Sequence, residues 1–300
     1  MEAHGTDRSG HGEGWSRPLR ASPATVVLPV DFALFHGPNM SHLLTLATSS
    51  LDSLIASGED ALSVDQIPAF TGGKLELRGL TVSTSLLAGM SLSELDSLRD
   101  HADKAGCPCL TLIESAPLRL GDESAEEVVD DRISRIATAA NRLGCSSIAI
   151  ACEADDTDEV LEDVAEHIRT LMPIVERLEL NFLLIPREGL TMLPDRLTKL
   201  VKTVGGFRIG VLPTFGHAAQ TADPVETLRK LAPYAHAMQA TVVGFGRGKK
   251  HKPFDLAAYI EAVKSVGYAN ALAIEYVGDS DPVKAITTAR DIITSILDDS

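Results

Sequence analysis

Cysteine is scarce, and the four that occur, Cys107, Cys109, Cys145 and Cys152, form no CxxC pair. The chain therefore lacks both the density of a disulfide scaffold and a thiol redox motif, which predicts reduced, buried thiols and a cytoplasmic setting. Long apolar runs are missing too. No stretch approaches the roughly 20 apolar residues of a membrane span, so no membrane partner is expected. The first residues lack the apolar core of a secretory signal. Positive charge is the minority sign, 27 Lys and Arg against 42 Asp and Glu, for a net charge of -15. Such a field repels phosphate backbones at long range and argues against a nucleic-acid partner; an anionic ligand needs a local basic pocket. No GxGxxG follows the first strand-like run, which removes the fingerprint of a doubly wound dinucleotide fold.

The 300 residues are otherwise ordinary for a globular protein, 44% hydrophobic and 23% charged. Residues 1–24 are rich in Gly, Ser, Arg and His with almost no apolar periodicity, and read as a disordered lead. TVVLPVDF at Thr25–Phe32 reads as a short extension, and residues 25–300 as a single domain. Eight short apolar or β-branched runs follow, starting at Leu43, Leu77, Cys109, Ser146, Leu180, Phe207, His236 and Ala271. They alternate with amphipathic segments, the signature of βα units and a parallel sheet. Ser91–Glu94 opens one segment as a capping box, and residues 156–177 repeat apolar positions at helical spacing. Eight units of nearly equal length predict a closed (β/α)8 TIM barrel in the α/β class, with an open doubly wound sheet as the alternative.

In such a barrel the chemistry sits where strands end, so the residues closing each run matter most. They include Glu114, Glu153, Glu188, His217 and Glu275. Carboxylates and imidazoles converging from several strands suit both divalent metal binding and proton abstraction. Strand-end acids are also common helix caps, and that reading weighs more for Glu114 and Glu153. Glu275 differs, because it interrupts the apolar strand ALAIEYVG, where a buried charge is costly without a partner or a task. After the seventh run, Arg247, Lys249, Lys250, His251 and Lys252 form the densest positive cluster, interleaved with glycines. It reads as a phosphate or carboxylate grip or, equally, as a solvated loop.

GYANALAIEYVGDSDPVKAITTARDIITSIL, with KPFDLAAYIEAVKSVG and GFRIGVLPTFGH before it, resembles the closing part of xylose-isomerase-like sugar-phosphate isomerases and epimerases. The resemblance runs from about Ser41 to Leu297 and is strongest in the last part. It implies a divalent metal (Mn, Mg, Co or Zn) held by a Glu, an Asp, a His and a second Glu at successive strand ends, the glutamates also serving as acid and base. Of these the chain shows the last, Glu275; Pro186 stands where the first Glu is expected and Thr214 where the Asp is expected. Around the seventh run the usual His and Lys pattern gives way to one containing Gln239. A displaced metal site of Glu188, His217 and Glu275 is one rescue, since Glu188 shares strand parity with Pro186; no bound metal at all is the other.

The resemblance implies an isomerase or epimerase of a small sugar or sugar phosphate, abstracting a proton next to a carbonyl. Glu275 and Glu188 would be its catalytic pair, with Arg187, Gln239 and the Arg247–Lys252 loop binding substrate. The alternative is a non-catalytic barrel that binds a sugar-like or anionic metabolite after losing its metal. A metal-free lyase or dehydratase is a third reading, and a homo-oligomeric state stays open.

Overall fold

The computed structural model describes residues 43–55 and 61–298; the 1–24 lead and the Thr25–Phe32 run lie outside the described residues. Each of the eight runs holds one strand: β1 (Leu44–Ala47), β2 (Leu80–Ser83), β3 (Cys109–Ile113), β4 (Ser147–Ala151), β5 (Asn181–Ile185), β6 (Ile209–Val211), β7 (Ala237–Val242) and β8 (Ala271–Tyr276). Between and after them run α1 (Ile67–Gly73), α2 (Leu92–Lys104), α3 (Glu126–Leu143), α4 (Asp158–Arg177), α5 (Pro194–Val204), α6 (Pro224–Leu231), α7 (Leu256–Ser265) and α8 (Pro282–Asp298).

All pairings in the main sheet are parallel, in the order β6-β5-β4-β3-β2-β1-β8-β7. Isolated parallel bridges Val211–Ala235 and Thr214–Gln239 join the free edges of β6 and β7. The Gln239 N–H donates to Pro213 O at 2.9 Å across that seam. The sheet is thus curled into the expected α/β barrel.

Strand parity sorts the side chains. Leu46, Leu80, Leu112, Ile148, Phe182, Met238 and Ile274 face outward into one large core shared with the helices. Ala149, Leu183, Leu212 and Ala237 form a separate small cluster inside the barrel, against Ile113 and Ile185. Glu275 lies between outward-facing Ile274 and Tyr276, so the pleat turns it inward.

Helix starts follow local chemistry. Ser91 and Glu94 close a reciprocal capping box on α2, as the spacing predicts. Thr157, Asp223 and Asp255 cap α4, α6 and α7. The four cysteines are buried and unpaired, and burial pushes the thiols of Cys107, Cys109 and Cys152 up to about 12. They are core residues rather than nucleophiles. No helix among the described residues is long and apolar enough to cross a membrane.

Candidate active site at the barrel mouth

Two adjoining cavities open at the C-terminal ends of the strands and share Pro186, Thr214 and Glu275. One, of about 350 Å³, is bordered by Arg187, Glu188 and His217 over β5 to β7. The other, of about 410 Å³, is bordered by Ser83, Ser85, Ser115, Glu114 and Gln239, mostly over β1 to β4. Pro186, Thr214, Gln239 and Glu275 therefore meet at the mouth, where the resemblance expects a metal-binding set.

Glu275 is the inward side chain near the top of β8. Its Oε2 accepts one hydrogen bond, from Thr241 Oγ1 at 3.0 Å, and Thr241 Oγ1 in turn accepts from the Gly216 N–H at 3.0 Å. Among the described residues no cation pairs with it. Burial raises the Glu275 carboxyl above its ordinary range, and the Thr241 hydroxyl offsets part of that rise.

His217 is buried in the short helical turn Phe215–Ala218, whose start is capped by Thr214. Its Nε2–H donates to Met192 O at 2.8 Å, which fixes the tautomer and leaves Nδ1 as an acceptor. That Nδ1 is buried without a hydrogen-bond partner, and burial lowers the ring's affinity for a second proton. Arg187 is half-buried; its Nη1 has no hydrogen bond and lies 3.9 Å from Glu153 Oε2. Glu275, His217 and Arg187 thus border one cavity, and each has a polar atom short of hydrogen-bond partners.

Other expectations fare differently. Glu188 borders the 350 Å³ cleft but is exposed at its rim. Among the described residues, Glu188, His217 and Glu275 do not bring their ligand atoms within 4.8 Å of one another, so the displaced metal triad is not assembled. Glu153 is exposed. Glu114 is a structural residue: Arg132 Nε and Nη2 donate to its Oε2 at 2.7 and 2.6 Å, and Thr84 Oγ1 and the Ala116 N–H donate to its Oε1.

The basic loop is a small antiparallel hairpin, Gly244–Phe245 against His251–Lys252. Arg247, Lys249, Lys250 and Lys252 are exposed and border neither mouth cavity. His251 corrects the expectation of a substrate contact. It is buried between Phe245 and Phe254, its Nε2 accepts from the Val243 N–H and its Nδ1–H donates to Phe254 O. No ring nitrogen is left for an anion.

Glu126 and Asp130 of α3 and the buried His167 of α4 do place ligand atoms within 4.8 Å of one another. The Gly121 N–H donates to His167 Nδ1 at 2.9 Å, so neutral His167 carries its proton on Nε2, facing Asp130 Oδ1 at 2.8 Å. The nitrogen nearest the carboxylates is a donor. A metal would require an imidazolate or loss of the Gly121 bond, which makes this trio a structural clamp.

The family follows from comparison. The model of the xylose isomerase-like TIM barrel family matches residues 75–296, and the chain belongs to that family. No curated protein matches. Among solved structures, an L-ribulose 3-epimerase superposes with a TM-score of 0.68 at 14% identity, covering 86% of this chain and 94% of that one. A xylose isomerase-like TIM barrel protein from Mycobacterium smegmatis in complex with magnesium gives 0.65 at 16% identity, covering 86% and 97%. The IOLI protein with a bound zinc atom gives 0.66 at 15% identity, covering 85% and 97%. At these identities the likeness shows the fold alone.

Zinc and magnesium in those relatives raise the question of a metal here, and the residues present do not fit one well. Pro186 offers no side-chain donor. The Thr214 hydroxyl accepts the His217 N–H as a helix cap. Gln239 is uncharged, so Glu275 is the lone anionic side chain of that set. A hard divalent ion needs more negative charge than this to leave water.

Sequence reasoning missed Ser83, Ser85 and Ser115. Their signal was available in the pleat: extending the inward parity of β2 and β3 beyond Thr81 and Ile113 lands on serine each time.

Proposed function

We propose that the chain is an isomerase or epimerase of a small polyhydroxy carbonyl compound that uses Glu275 as acid and base without a divalent metal. The observation that carries this reading is the Glu275 carboxyl, half-buried in the mouth with one hydrogen bond and no ion pair among the described residues. Burial strengthens it as a base. In its ionised form it takes the proton from the carbon beside the carbonyl, and the C–H electrons move into an enediolate. The Arg187 guanidinium supports the developing oxyanion, a role a metal fills in other designs. His217, held by its bond to Met192, shapes the wall of the cleft against the substrate. Return of the proton from Glu275 to the neighbouring carbon on the same face, as the enediol hydroxyl proton passes to the other oxygen, completes an isomerisation; protonation of the first carbon from the opposite face by solvent water, with Glu275 then releasing its own proton to solvent, gives an epimerisation.

The test is solvent deuterium exchange, followed by NMR, over a panel of aldoses, ketoses and their phosphate esters. Wild-type protein is expected to label the carbon next to a carbonyl in at least one member, and Glu275→Gln to label none. Equal labelling by both proteins would overturn the reading.

A second reading, a binding barrel without turnover, is favoured by Pro186, Thr214 and the exposed Glu188, which leave no second buried carboxylate opposite Glu275. It predicts saturable ligand binding with no label in either protein.

A further inference from the structure

Four hydroxyls, three of them on the wall of the 410 Å³ cavity that also holds Glu275, form one directed chain. Thr84 Oγ1 donates to Glu114 Oε1 at 3.1 Å, and Glu114 is held by Arg132, so this end is an acceptor and the Thr84 hydrogen is committed. The 3.1 Å contact between Thr84 and Ser115 must then use the Ser115 hydrogen. The 2.7 Å contact between Ser115 and Ser83 must use the Ser83 hydrogen, and the 2.5 Å contact between Ser83 and Ser85 the Ser85 hydrogen. No other assignment gives each contact one proton.

The same oxygens also receive backbone donors. The Ser115 N–H goes to Thr84, and the Ser85 N–H to Ser115 and more distantly to Ser83. Thr84, Ser115 and Ser83 thereby each accept two hydrogens and donate one. Only Ser85 Oγ keeps free capacity, two lone pairs and no hydrogen to give. It is exposed on the wall of the 410 Å³ cavity that also holds Gln239 and Glu275. No Lys or Arg borders that cavity.

We infer that the shelf of Ser83, Ser85 and Ser115 is a ligand subsite that reads O–H donors and so selects an uncharged, hydroxyl-rich ligand over its phosphorylated counterpart. A phosphate presents only acceptors to Ser85 and would meet lone pairs and the nearby carboxyl groups with no cation in the cavity. An alcohol donates to Ser85 and extends the polarised chain. The unpaired cations of the exposed hairpin lie outside this cavity. The inference rests on the mouth being the ligand site, as the proposed function does, but not on turnover.

Binding and catalysis are therefore tested separately. Ligand-observed NMR titrations would use free ketoses, aldoses and polyols, each beside its phosphate ester, with wild-type protein, Ser85→Ala and Thr84→Val. Wild-type protein is expected to bind at least one free compound more tightly than its ester. Ser85→Ala should weaken that compound about three- to tenfold, the loss of one hydrogen bond. Thr84→Val cuts the chain from Glu114, frees the Ser85 hydrogen to donate, and should narrow the preference without abolishing binding. Tighter binding of the esters, no binding of any free compound, or a Ser85→Ala affinity equal to wild type would overturn the inference. A free sugar that binds by this pattern but takes up no deuterium would uphold the subsite and overturn the isomerase reading instead.

Discussion

Two strand-end glutamates, Glu114 on the β3 side and Glu275 on β8, meet the same mouth and have opposite surroundings. Glu114 is 4% exposed and receives a two-pronged guanidinium, a hydroxyl and a backbone N–H. Glu275 receives one hydroxyl. Burial of a carboxyl does not by itself mark function. The two differ in their partners: a fully paired carboxylate contributes to folding, whereas an underpaired one is retained at a cost.

The comparison breaks most sharply under substitution. Glu275→Gln should lower deuterium exchange at least about a hundredfold, the usual scale for a general base, while leaving the urea midpoint unchanged or raised. Glu114→Ala should do the reverse, lowering stability by about 2–3 kcal/mol because Arg132 and Thr84 lose their acceptor. A larger stability loss for Glu275→Gln than for Glu114→Ala would erase the distinction.

The outer clamp offers a control away from the mouth. His167→Leu leaves the Gly121 N–H without an acceptor and should cost about 1–2 kcal/mol in a denaturant titration. Exchange activity should not change. Metal-dependent stabilisation of the wild type that His167→Leu removes would contradict the tautomer assigned to this ring.

The smallest expected effect is on pH dependence. The folded-state affinity of Glu275 for its proton is raised above the unfolded value, so the folded chain binds more protons in that window. Its contribution to stability is fully present below the unfolded value of about 4.5 and declines as pH rises through the folded one. Stability curves of wild type and Glu275→Gln should therefore diverge as pH rises from there, with the variant losing less. Parallel curves would show that the carboxyl ionises as freely as in the unfolded chain.

The barrel was legible in the chain because β-strand and helix periods leave strong marks: all eight strands fall inside the eight apolar runs, and the Ser91–Glu94 box caps its helix. Glu275 stood out for the same reason, a charge on an inward position of an apolar strand. Pairing was harder to read. Nothing near Glu114 in sequence announces Arg132, 18 residues on, as its partner, nor does the Arg247–Lys252 text show that His251 turns inward while its neighbours face water. The serine shelf needed the sheet order, in which β1 stands between β2 and β8, to bring the β2 and β3 ends near Glu275. Local pattern carries the elements, whereas partner counts depend on contacts between strand ends far apart in the chain.

The most direct test of a metal-independent Glu275 site is deuterium exchange by chelator-treated protein, with and without added Mn²⁺ or Mg²⁺. The account predicts the same labelling rate before chelation, after it and after metal addition, with none in Glu275→Gln. Exchange lost on chelation and restored by the ion would contradict it and return Glu275 to the role of a metal ligand.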